Sequence, residues 1–131
     1  MIKGSCLCGT VQFQLDRPPD VMNLCHCSMC RKVTGSAFGV FVHTPTENFR
    51  WLAGESALAS YESSREHWRV FCATCGSSMP NVEAGSVCIP TGAFDDDPGI
   101  TPSVQIFVGS KANWHDVAPQ PPGYDEFEPD D

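Results

Sequence analysis

The sequence has no long apolar run, so no transmembrane helix is expected. Its first residues, Met1-Ile2-Lys3-Gly4-Ser5-Cys6, lack the extended apolar stretch of a secretory signal. That absence points to a reducing cytoplasm, where thiols stay free or bind metal. Positive charge is scarce too. Eight Lys and Arg stand against 16 Asp and Glu, a formal net charge of −8. Neutralising phosphates needs Lys and Arg, so the charge argues against nucleic acid as a main partner. The acidity is concentrated at the end, where Asp125, Glu126, Glu128, Asp130 and Asp131 read as a solvated tail. No internal repeat is found. At 131 residues the chain makes one domain, with a core small enough to gain from a metal.

Cysteine is the residue in excess. Eight occur, as Cys6/Cys8, Cys25/Cys27/Cys30, Cys72/Cys75 and a lone Cys88. C-x-C and C-x-x-C clusters are poor disulfide partners internally and good chelators, so the spacing favours metal over a disulfide scaffold. Cys6/Cys8 and Cys72/Cys75, joined across the fold, make a four-thiolate tetrahedron of the structural zinc type. Gly9 and Gly76, each just after a ligand pair, allow the tight turn that presents paired thiolates.

Cys25, Cys27 and Cys30 form a second set, and two readings of it compete. In one, a fourth protein group such as Cys88 closes the tetrahedron and the site is structural. In the other, three cysteines leave an open position, the mark of a reactive zinc. Val87-Cys88-Ile89 is apolar and favours a core role for Cys88. His26, between two ligands, turns its ring away from their metal. His43, His67 and His115 are expected to be structural or exposed, and Trp114 to belong to the core. Arg31 and Lys32 follow the cluster directly and are placed either to bind a carboxylate or simply to be solvated. Three thiolates on one zinc donate much electron density, which suits thiol ligation and thiol-to-carbonyl chemistry better than hydrolysis of peptides or esters.

Around the cysteines the chain reads as short strands separated by turns. Alternation predicts a strand over 9–15, broken by Asp16-Arg17-Pro18-Pro19-Asp20. A short apolar link (Val21, Met22, Leu24) leads to Cys25, and a turn or short helix over 32–36 closes at Gly35. Further strands are expected over 37–43, 49–52, 58–61, 67–71, 77–82, 86–90 and 104–108, with a helical turn over 110–117. From residue 118 the chain is Pro-rich and acidic, extended or disordered. The rhythm is that of a mainly β fold.

With these residues placed, the chain resembles the glutathione-dependent formaldehyde-activating family, which includes centromere protein V-like members. The matching stretches are Gly4-Ser5-Cys6-Leu7-Cys8-Gly9, Cys25-His26-Cys27-Ser28-Met29-Cys30-Arg31-Lys32-Val33-Thr34-Gly35 and Phe71-Cys72-Ala73-Thr74-Cys75-Gly76. Gly92-Ala93-Phe94-Asp95-Asp96 and the run from Ile106 to Trp114 add to them. The resemblance implies a β-tent fold of antiparallel sheets with two zinc ions over residues 1–117. It implies a structural zinc on Cys6, Cys8, Cys72 and Cys75, and a catalytic zinc on Cys25, Cys27 and Cys30. The activity it implies is that of a carbon–sulfur lyase adding glutathione, or a similar small thiol, to formaldehyde or a related small carbonyl. Arg31, Lys32 and Lys111 would then bind carboxylates of the thiol, and Ser28 or Thr34 would hydrogen-bond the substrate. The rival readings are a zinc-stabilised thiol carrier without turnover and a scaffold, the latter disfavoured by the negative charge.

Overall fold

A computed structural model describes residues 1–116 and 118–130. In chain order its elements are β1 (Ile2–Ser5), β2 (Gln12–Leu15), β3 (Val21–Cys25), α1 (Ser28–Thr34), β4 (Gly39–Pro45) and β5 (Phe49–Ala53). β6 (Leu58–Ser64), β7 (His67–Cys72), β8 (Ser78–Met79), β9 (Asn81–Glu83), β10 (Ser86–Pro90) and β11 (Val104–Ile106) follow. The strands form three sheets, ordered β1-β2-β5, β11-β3-β4-β10-β9 and β6-β7-β8. The fold is mainly β with antiparallel pairing, as the sequence predicts, except that β11 runs parallel to β3.

The core gathers where the sheets face each other. Val11, Phe13, Leu15, Val42, Val87 and Ile89 are fully buried, and burying side chains of this size contributes about 1.5–3 kcal/mol each. Phe13 stacks on Phe49 at 5.8 Å and meets Trp51 edge-on at 6.4 Å. β10 shows how the period-2 pattern sorts its residues: Val87 and Ile89 enter the core, so Cys88 between them faces the other way. This corrects the expectation that Cys88 is a core residue.

The proline-rich segment before β3 is held by one buried side chain. The Asn48 Oδ1 accepts from the backbone N–H groups of Asp16 and Arg17 at 3.1 and 3.0 Å, and its Nδ2 donates to Arg17 O and Thr44 Oγ1, each at 2.9 Å. Fully paired, it carries none of the cost of a buried orphan amide. It also fixes the chain's entry into the strand that ends at Cys25.

Several boundaries differ from expectation. Residues 2–5 and 21–25 are strands that the sequence pattern does not announce, because Gly4 and Asn23 interrupt the apolar series. The short helix starts at Ser28, earlier than 32–36, and ends on Gly35 at φ +64°. The expected turn over 110–117 is replaced by a 3-10 turn over Val108–Ser110, with no helix in residues 111–116; Val117 lies outside the described residues. Residues 118–130 carry no helix or strand and are exposed, and Asp131 of the acidic run is likewise outside the description. No helix is long and apolar enough to cross a membrane.

Candidate metal centre

The thiols of Cys6, Cys8, Cys72 and Cys75 converge, their sulfurs all within 4.8 Å of one another. Cys6 Sγ lies 3.6 Å from Cys8 Sγ, which lies 3.9 Å from Cys72 Sγ. A tetrahedral site with metal–sulfur bonds near 2.3 Å requires sulfurs about 3.8 Å apart, so the four fit a metal. A disulfide would need sulfurs at about 2.05 Å, and all eight cysteines are free. Gly9 and Gly76 both sit at φ +80°, the left-handed turn that presents each pair. The loops are held to each other by Leu7 N–H donating to Ser77 Oγ at 2.9 Å. Ser77 also pulls the Cys75 thiol down to about 5, through its hydroxyl at 3.2 Å and its backbone N–H. Burial, in contrast, pushes the Cys6 thiol up, against the N–H of Val11.

Cys25, Cys27 and Cys30 make the second cluster, again with all sulfurs within 4.8 Å. Cys25 is the last residue of β3, and the parallel pairing with β11 sets it level with Ile106. His26 N–H then donates to Ile106 O at 3.0 Å, and its Nε2 lies 2.8 Å from Gln105 Oε1. The His26 ring is buried against Phe38, pointing away from the thiols as expected. Cys27 caps α1, its Sγ accepting from the N–H of Cys30 at 3.3 Å. Burial opposes ionisation of Cys27, but the Cys30 backbone N–H and the adjacent thiols outweigh it and lower its pKa. Cys30 is pushed up to about 12 by burial and by Cys25 and Cys27, while Arg69 acts the other way. Three sulfurs gathered within 4.8 Å of one another are spaced as a single cation would hold them, and the donor set fits a thiophilic metal.

The two clusters differ in what they face. A cavity of about 410 Å³ is lined by Cys25, Cys27 and Cys30 and by none of the other four ligands. Its walls include Met29 and Val33 of α1, Phe41 and His43 of β4, His67, Trp68, Arg69 and Val70 of β7, Asn81 and Glu83 of β9, Ile106 at the end of β11 and Phe107 just after it. Cys88 lies in this wall, opposite its register partner His43, with burial pushing its thiol up to about 11. It is not among the clustered sulfurs.

Arg69 is the charged residue that sequence reasoning missed. Its Nη2 lies 3.8 Å from Cys30 Sγ and its Nε donates to Ser63 Oγ at 3.3 Å. Nothing local announces it, since 39 residues separate it from Cys30. The cations expected beside the metal are arranged otherwise. Arg31 and Lys32 occupy the last turn of α1, where they complement the helix dipole. Ser28, Lys32 and Thr34 are exposed, Thr34 Oγ1 donates to Cys30 O at 2.7 Å, and Lys111 pairs with Asp116 at 3.0 Å. None of these five lines the cavity. Trp114, expected in the core, is 63% exposed.

The family model of the glutathione-dependent formaldehyde-activating enzyme matches residues 1–110. The chain belongs to that family. A Halomonas elongata protein whose name refers to the same glutathione-dependent activity is 31% identical over 90 residues, covering 60% of this chain and 54% of that protein. The match thus spans about half of the Halomonas protein's length. A Schizosaccharomyces pombe protein named an uncharacterised lyase is 24% identical over 119 residues, 88% of this chain and 85% of its own. The fold is shared with a crystal structure of a Rhodobacter sphaeroides protein, at a TM-score of 0.60 and 21% identity, over 79% of this chain and 97% of that one. In this member of the glutathione-dependent formaldehyde-activating family, the three-thiol cluster lines the 410 Å³ cavity, and the four-thiol cluster does not.

Proposed function

We propose that this chain is a zinc-dependent carbon–sulfur lyase, joining a small thiol such as glutathione to formaldehyde or a related carbonyl. The observation that carries the reading is the placement of the three-cysteine cluster at the wall of the 410 Å³ cavity, while the four-cysteine cluster stands apart from it. Cys25, Cys27 and Cys30 would hold the zinc, which would supply Lewis acidity and affinity for the thiol substrate. In the addition the thiol sulfur bonds to the carbonyl carbon, and the carbonyl oxygen takes up the proton the thiol gives, so no redox partner is needed. The chain's part is to bring the two reactants together in the cavity. The Arg69 guanidinium, 3.8 Å from Cys30 Sγ, favours negative sulfur at that end of the cavity. Ser28, Arg31 and Lys32 on α1 are proposed to meet carboxylates of the thiol outside the cavity.

The reading is tested by mixing zinc-loaded protein with glutathione and 13C-formaldehyde and following hemithioacetal exchange by NMR. Acceleration over the protein-free rate is expected. Glutathione binding without acceleration would instead leave a thiol carrier, and neither binding nor acceleration would discard the thiol chemistry altogether.

A further inference from the structure

The cavity beside the three thiols is larger than a one-carbon carbonyl needs. Its volume of about 410 Å³ lies within the roughly 300–1,000 Å³ of sites that enclose drug-sized ligands. Its walls also depart from the acidic character of the chain. Among the described residues that line it, Arg69 and Glu83 are the only Lys, Arg, Asp or Glu side chains, and these oppose each other in sign; His43, His67 and Asn81 are among its polar residues. Met29, Val33, Trp68, Ile106 and Phe107 line the same cavity while remaining 38–63% exposed. Large apolar side chains gathered wet around a concave, thiol-bearing site form a surface that a ligand dries on binding. Phe107 adds an independent sign. It sits at φ +54°, a left-handed conformation that bulky residues avoid. Such strain persists where the surroundings over-determine it, characteristically at ligand-binding positions. Here it follows Ile106, the residue level with Cys25, and places an aromatic ring in the cavity wall.

We propose that the carbonyl substrate carries an apolar chain or ring of several carbons, which lies against Trp68 and Phe107 while its carbonyl carbon reaches the three-thiol end. This deepens the thiol–carbonyl reading above and rests on it. The bond changes are those already given: a C–S bond forms, the carbonyl π pair becomes a hydroxyl by taking the thiol's proton, and nothing is oxidised or reduced. The apolar group adds affinity, each buried methylene raising it about fourfold.

The test compares formaldehyde, butanal, hexanal and phenylacetaldehyde as partners of glutathione, using the zinc-loaded full chain. From butanal to hexanal kcat/KM should rise about fourfold per methylene. Trp68→Ala should lower the hexanal-to-formaldehyde ratio by about tenfold or more. Phe107→Gly, which tolerates the left-handed backbone and so keeps the fold, should do the same. Hexanamide, which cannot accept a thiol, should bind and shift the Trp68 indole resonance. Formaldehyde turned over as well as or better than hexanal, with no hexanamide binding, overturns the inference and leaves the lyase reading intact. If no aldehyde reacts, formaldehyde included, the lyase reading falls and the substrate assignment falls with it. A dimer that buries Trp68 and Phe107 and excludes hexanamide, seen by sedimentation velocity, also overturns the inference.

Discussion

Cys6, Cys8, Cys72 and Cys75 bring sulfurs together across 64 residues of chain, whereas Cys25, Cys27 and Cys30 come from one strand end and the helix turn after it. The first cluster closes a long loop between the β1–β2 connection and the end of β7, so a metal held there would constrain what folding must otherwise order. The second is local: β3, its sheet neighbours and the cap of α1 set its geometry. We propose that the first holds the molecule together and the second acts at the cavity. β7 serves both, carrying Arg69 to the cavity and Cys72 to the four-thiol site.

The largest effect should come from breaking the long-range cluster. Cys72 is fully buried, and structural thiolate sites contribute on the order of 10 kcal/mol, comparable to the whole stability of a small domain. Cys72→Ser is expected to abolish cooperative folding, read as lost amide dispersion and a lost thermal transition at saturating zinc. Chelation of both metals from the native chain should give the same result.

Cys27→Ser separates the clusters. Serine is itself a good N-cap, so the bond from the Cys30 N–H survives and α1 should persist. We expect a folded protein with one of its two metal sites impaired and activity down by at least about 100-fold, since ligand loss exceeds the 10–100-fold typical of outer-shell changes. Metal content and circular dichroism on the same sample decide this. Unfolding as complete as that of Cys72→Ser would erase the distinction and make both sites structural.

Much of this contrast was legible in the sequence, because chelate spacing is a local signal and tetrahedral geometry does the rest. The grouping of the thiols into two clusters, the glycine turns at residues 9 and 76 and most strands could be read directly. What escaped was set by long-range packing. Asn48 and Arg69 act on segments 31 and 39 residues away. Strand β3 was hidden because it is held by neighbours on both edges rather than by its own alternation. Cys88 was misplaced because its apolar neighbours suggest a core, when the strand period turns the residue between them to the opposite face. The cation pair Arg31-Lys32 drew attention by adjacency, yet the helix carries it to its last turn while a distant arginine takes the position at the sulfur.

Arg69→Gln tests that substitution of one cation for another. The variant keeps a polar group toward Ser63 but removes the charge beside Cys30, whose thiol is already hard to ionise. Affinity for the second metal, or activity at limiting zinc, should fall about 10–100-fold, with the four-thiol site unaffected. Lys32→Gln, on the exposed side of α1, should leave metal affinity unchanged and raise KM for a carboxylate-bearing thiol. An equal loss of metal affinity in both variants would mean a diffuse field rather than a specific contact.

The smallest effect concerns His43, which faces Cys88 and the cavity rather than the four-thiol site. Burial lowers its pKa, against the pull of Glu83. The unfolded chain therefore binds the proton at a higher pH than the folded chain does. The neutral ring's contribution is fully present above the ordinary histidine value of about 6.5 and is lost as pH falls through the lower, folded value. Urea midpoints at saturating zinc, taken between pH 8 and pH 5.5, should drop further for the native chain than for His43→Asn. Thiolate protonation at the metal sites is common to both proteins and cancels in the difference. A steeper drop in the native chain marks the cavity wall as dry enough to resist charge, in keeping with an apolar substrate. Parallel curves would mean that water reaches the ring, and with it the cavity beside the three thiols.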